Sequence, residues 1–227
     1  MLHKKETAWK KNRQLGDIYG GRKWRKFEDR IFSRFHTLKA PGLNEKTPIL
    51  MVDNPSRDFF HPLKIDEVVT ALNALPNRDT QDITHIWLPR IKKKDYLAGD
   101  ELLAAFICGS GVRLIVLNPW PIDRRLPIGK RPTKKILAYY APYTQSLIEE
   151  EGEVYLVFTD TALRRFYIEY LLYHEIGHHV DWYYRHWSPA NVRAIEDAAD
   201  QYAFAHGAIA KHVINHIEKK YQHTSLA

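Results

Sequence analysis

Between Thr161 and Asp200 the sequence keeps helical period through two consecutive segments, and their inner faces carry more than core residues. Leu163, Phe166, Tyr167, Tyr170 and Leu171 form one stripe, which is predicted to continue without slip into His174, His178 and Asp181. A second helix is predicted from Ser188-Pro189, where serine can cap the first free amides and proline tolerates the first helical position. It carries Glu196 and Asp200, four apart and so on one face, with Ala199 and Ala203 near that face and small enough to let two helices come close. Gly177 costs a helix interior about 1 kcal/mol relative to alanine, so its presence predicts a close approach by another backbone or a ligand.

The first helix contains His174, Glu175 and His178 in the arrangement HExxH. Residues four apart on a helix are offset by about 40° and one turn, so both imidazoles can aim at one point. Zinc suits such a pair, and a hydrolytic zinc site needs a third protein ligand and an open position for water. Glu175 lies one step round the helix, placed to take the proton from that water. The flanking residues are uncharged and mostly apolar, which sets the motif in a dry wall. Either Glu196 or Asp181 can complete the ligand set; Asp181 shares a helix with both histidines and would crowd the site, which favours Glu196.

With "HEIGH" followed after 17 residues by "EDAAD", the stretch from about Glu153 to His206 resembles the gluzincin branch of the zincin metallopeptidases, with thermolysin-like spacing. The resemblance implies one Zn2+ per chain held by His174, His178 and Glu196, Glu175 as general base, and Asp200 hydrogen-bonded to a ligand imidazole. It implies a peptide or protein substrate held as an added strand along a free sheet edge, for which "KKILAYYAP" is the expected edge. A metzincin would need HExxHxxGxxH, but Asp181 and Tyr184 occupy the glycine and third histidine positions, which excludes that branch. Compact regulators of the ImmA/IrrE kind also pair HExxH with a glutamate helix, usually beside a DNA-binding module. For the residue that stabilises an oxyanion, Tyr183, Tyr184 and His186 are the open choices, each with a plain packing role as its rival. His206, His212 and His216 point away from Glu196 if their helix continues, and so read as surface or satisfied histidines.

Upstream, Ile65 to Leu75 reads as a helix closed by Pro76, "ITHIWLPRI" as a strand, and "LLAAFICGSGVRLIVLNPW" as a hairpin turning at Gly109-Ser110-Gly111. "KKILAYYAP" and "EVYLVF" read as further strands, and the acidic run Glu149–Glu153 as a solvated turn. The stretch from Ala40 to Pro62 is rich in turn formers and marks a seam between a basic extension, residues 1–60, and a zincin-like domain, residues 61–227. The expected class is α+β: a mostly antiparallel twisted sheet packed on the HExxH helix, which a Glu-bearing helix follows.

The net charge of +7 belongs to one end: residues 1–39 hold 12 Lys/Arg against 4 Asp/Glu. There Trp24, Phe27, Ile31 and Phe35 recur at helical spacing with Arg22, Lys23, Arg25, Lys26, Arg30 and Arg34 between them. Two readings stand: the aromatic stripe packs on the main core while the charges solvate the outer face, or the segment binds nucleic acid in a protein whose zincin-like body regulates. Cys108 alone allows no intramolecular disulfide and no thiolate-rich metal site; following "AAFI", it reads as a small buried hydrophobe. Lacking an apolar leader or an uncharged run of about 18 residues, the chain is expected to be soluble and cytoplasmic.

Overall fold

A computed structural model describes residues 38–97 and 102–224. The amphipathic segment expected around Trp24 to Phe35 lies outside the described residues. Both α and β elements are present, as the alternation of periods implied.

The main sheet has strand order β1 (Ile49–Val52), β3 (His85–Leu88), β5 (Val112–Leu117), β4 (Ala104–Gly109). Its β1–β3 and β3–β5 pairs are parallel, and only the β4–β5 hairpin is antiparallel. The sheet on the HExxH helix is therefore mixed, which corrects the expectation of a mostly antiparallel one. The antiparallel pairs elsewhere are β2 (Phe59–Phe60) with β6 (Trp120–Pro121), and the small sheet in which β9 (Glu153–Val157) lies between β7 (Arg125–Pro127) and β8 (Ser146–Glu150). Ser110 and Gly111, both at positive φ, close the β4–β5 hairpin where the sequence predicted it. The acidic run likewise makes the β8–β9 turn, with Glu151 and Gly152 at positive φ.

Two expectations fail upstream. "KKILAYYAP" is not a strand: Lys134–Tyr140 is helical, and the Thr133 hydroxyl accepts from the Ile136 amide at its start. The β-branched and aromatic content read as strand, but the cap decided the local structure. Conversely, "ILMV" inside the turn-rich Ala40–Pro62 stretch forms β1, an edge of the main sheet.

Helix α1 (Ile65–Asn73) buries Val68, Ala71 and Leu72, with the Lys64 amide donating to the Glu67 carboxylate at its entry. Short helices α2 (Asn77–Thr80), α3 (Lys93–Leu97) and α4 (Lys134–Tyr140) connect the strands. After β9 the chain becomes helical: α5 (Asp160–Phe166), a π turn (Tyr167–Leu172), α6 (Tyr173–Tyr184), a 3-10 turn (Pro189–Asn191), α7 (Val192–Ala205) and α8 (Gly207–Thr224). The π turn breaks the period that the sequence carried through without slip. It lies in a stretch with Tyr167, Ile168, Leu171 and Leu172 all buried, where the Tyr167 hydroxyl reaches the Asn118 carbonyl at 2.6 Å. Ser188 caps the 3-10 turn reciprocally with Asn191, as its position before Pro189 implied. Trp120, fully buried, meets Phe158, Phe166 and Tyr167 edge-on at the centre of the core. Among the described residues no helix is long and apolar enough to cross a membrane.

Candidate metal centre

Helix α6 runs beneath the main sheet, packed on β4 and β5, and its most extensive contact is with α7. Gly177 makes that contact possible. A Cβ there would sit 2.7 Å from the Ala199 Cα and 2.9 Å from both the Ala199 carbonyl oxygen and the Tyr202 Cβ. The two helices thus touch backbone to backbone, as the glycine predicted, and the contact fixes Glu196 and Asp200 opposite the histidines.

Across this seam the His174 and His178 ring nitrogens and a Glu196 carboxylate oxygen all lie within 4.8 Å of one another, a group that could hold a metal ion. Glu196 Oε2 is 3.4 Å from His174 Nε2, and its Oε1 is 3.7 Å from His178 Nε2. Ligands about 2.0 to 2.1 Å from a common tetrahedral centre stand roughly 3.3 to 3.4 Å apart, so the donor set fits one ion. The Glu196 side chain is 45% exposed, which leaves the group open on that side.

Asp200 Oδ1 accepts from His174 Nδ1 at 2.9 Å, which turns Nε2 toward Glu196. Burial opposes a charge on His174, yet hydrogen bonds to Asp200 and Glu196 outweigh it and hold the ring's pKa at about 10. His178 goes the other way, to about 4, because it is buried and faces the His174 charge. Glu175 is buried beside them; desolvation raises its pKa to about 7, against the pull of His174 and of the nearby Phe106 backbone amide on β4.

Asp181, the rival third ligand, is engaged elsewhere: Arg185 Nε donates to its two oxygens at 2.9 and 3.0 Å, and Trp187 Nε1 donates at 2.9 Å. The Trp187 ring then packs edge-on against His178, with centroids 5.3 Å apart. Tyr183 points to the far side of α6, where its hydroxyl donates to Asp82 and its ring packs on His179. Tyr184 is 85% exposed, and His186 is exposed with its carbonyl accepting from Asn191. His206 stacks on Tyr202, and His212 and His216 are exposed, in line with the reading of them as surface or satisfied histidines. Cys108 is buried, and burial pushes its thiol up to about 12.

Sequence reasoning missed two participants. Tyr170, one turn before His174, stacks on that ring at 5.8 Å and donates to Asp200 at 3.5 Å. Its i, i+4 spacing to His174 was the available signal. The Phe106 amide had none, because a backbone donor from a distant strand leaves no mark in sequence.

A scan against protein-family models and searches of curated proteins and of solved structures found no match.

Proposed function

We propose that the protein is a zinc-dependent peptidase. The observation that carries this reading is the convergence of His174, His178 and Glu196, with Glu175 buried alongside and Asp200 behind His174. Zinc bound by those three side chains would supply Lewis acidity toward a peptide carbonyl and toward water.

The chain's own groups do the rest. Glu175 accepts the proton of the attacking water and delivers it to the leaving amine; a carboxyl pushed to about 7 by burial can hold a proton between those two steps. Asp200 and Tyr170 hold the His174 ring in one orientation. The substrate adds as a strand along β4, which among the described residues pairs only with β5 and packs on α6. This replaces the edge expected at "KKILAYYAP", which is helical.

Elemental analysis of the purified protein, with zinc supplied and excess removed, tests the reading. About one zinc per chain, lost in Glu196→Ala, together with cleavage of a mixed peptide library that Glu175→Gln abolishes, is the expected result. A wild type that stays metal-free overturns it.

A further inference from the structure

The main sheet has two apolar faces, and the described residues cover one of them. Ile86, Leu88, Ile115 and Leu117 belong to the large core with α1, the π turn and α6. The alternate residues Trp87, Val112, Leu114 and Val116 point the other way and form a second cluster. Leu114 and Val116 have 0% of their surface exposed. Yet the described apolar residues that pack against this cluster are Leu38, Met51, Leu102, Ala105 and Ile107. Met51 is in β1 and Ala105 and Ile107 are in β4, so they lie beside the cluster in the same sheet and not above it. No described helix contributes to it. A sheet face needs a second layer, and sheets with parallel pairs are characteristically covered on both sides.

We propose that residues 22–35 of the same chain form that layer, with Trp24, Phe27, Ile31 and Phe35 seated on Trp87, Val112, Leu114 and Val116. Chain continuity supports this occupant. Leu38, where the description begins, already packs against the cluster. Phe35 is three residues earlier and so within about 11 Å of it even if the chain is fully extended. Beyond the amino-terminal segment, the residues outside the description are 98–101, AGDE, and 225–227, SLA, neither able to cover a sheet face. The stripe matches the face in kind: four large apolar side chains at helical spacing meet a tryptophan and three aliphatic side chains. Arg25, Lys26, Arg30 and Arg34 fall between the stripe positions, with Arg22 and Lys23 just before them, and are left on the solvent side. The extension is then an integral layer of the fold.

Site-specific photo-crosslinking in the full-length protein tests this without reference to peptidase activity. p-Benzoylphenylalanine is placed at Phe27 or Phe35, and at Ser33 on the opposite side of the stripe as control. The expected result is crosslinking at Phe27 and Phe35, within one chain, to peptides containing Met51, Trp87 or Val112–Leu117, with none from Ser33. Crosslinks between two copies would assign the face to a dimer and overturn the proposal. Crosslinks that miss those peptides, or labelling from Ser33 equal to that from Phe27, would overturn it as well. Ile31→Asp should lower the thermal unfolding midpoint by roughly 5 to 10 °C, and Ser33→Asp should leave it within about 2 °C; equal effects of the two would count against the stripe as the buried side.

Discussion

Helix α6 has histidines on both flanks, and the flanks behave differently. On one, His174 and His178 face Glu196 and Asp200, whose carboxylate oxygens lie 2.9 to 3.7 Å from imidazole nitrogens. On the other, His179 is buried near Asp79 and Asp82, but those carboxylates are engaged: Asp82 accepts from Tyr183 and pairs with Arg113, and Asp79 accepts from Tyr202 at 2.9 Å. Neither ring nitrogen of His179 has a partner among the described residues, and burial pushes its pKa down to about 4. Each side offers two carboxylates, Glu196 and Asp200 on one and Asp79 and Asp82 on the other. What sets one side apart as a candidate metal centre is that its carboxylates stand against imidazole nitrogens, whereas those near His179 are turned to phenols and a guanidinium.

The contrast can be broken first at the base. Glu175→Gln should cut peptide hydrolysis by roughly 10³-fold or more while zinc content by elemental analysis is unchanged; a fall in both would place Glu175 in the ligand set. The seam between α6 and α7 is next. Gly177→Ala drives a methyl into the Ala199 backbone and should cost about 2 to 3 kcal/mol in denaturant unfolding, with weaker zinc binding because Glu196 moves away. Asp200→Ala should weaken zinc binding about 10- to 100-fold by chelator competition, leaving the unfolding midpoint nearly unchanged. The smallest effect belongs to the other flank: His179→Phe should keep zinc and alter stability by less than about 1 kcal/mol, since it removes a buried ring with two unpartnered nitrogens. If that variant lost zinc, the two flanks would not be independent.

The helical pair was readable from sequence because its constraints are local. The spacing of His174 and His178, the cost of Gly177 and the Ser188-Pro189 start each carry their geometry within a few residues. Strand order is different: nothing in "ILMV" or "HIWL" states that they pair in parallel, because that pairing is settled by tertiary packing. Local signals also competed. In "TKKILAYY" the Thr133 cap outweighed strand-like composition, and Asp181 took Arg185 and Trp187 as partners, which spacing alone could not decide.

The Phe106 amide, which favours the charged form of Glu175, belongs to the strand along which a substrate would be registered on the proposed function. In the proposed peptidase, proton acceptor and substrate edge would thus be a single mechanical part. A slip of one residue in β4 would exchange the side chains on its two faces and withdraw the amide from Glu175 at the same time. If the proposed function holds, sequence preference would change by exchanging side chains along a fixed rail, because sliding the rail would disarm the base.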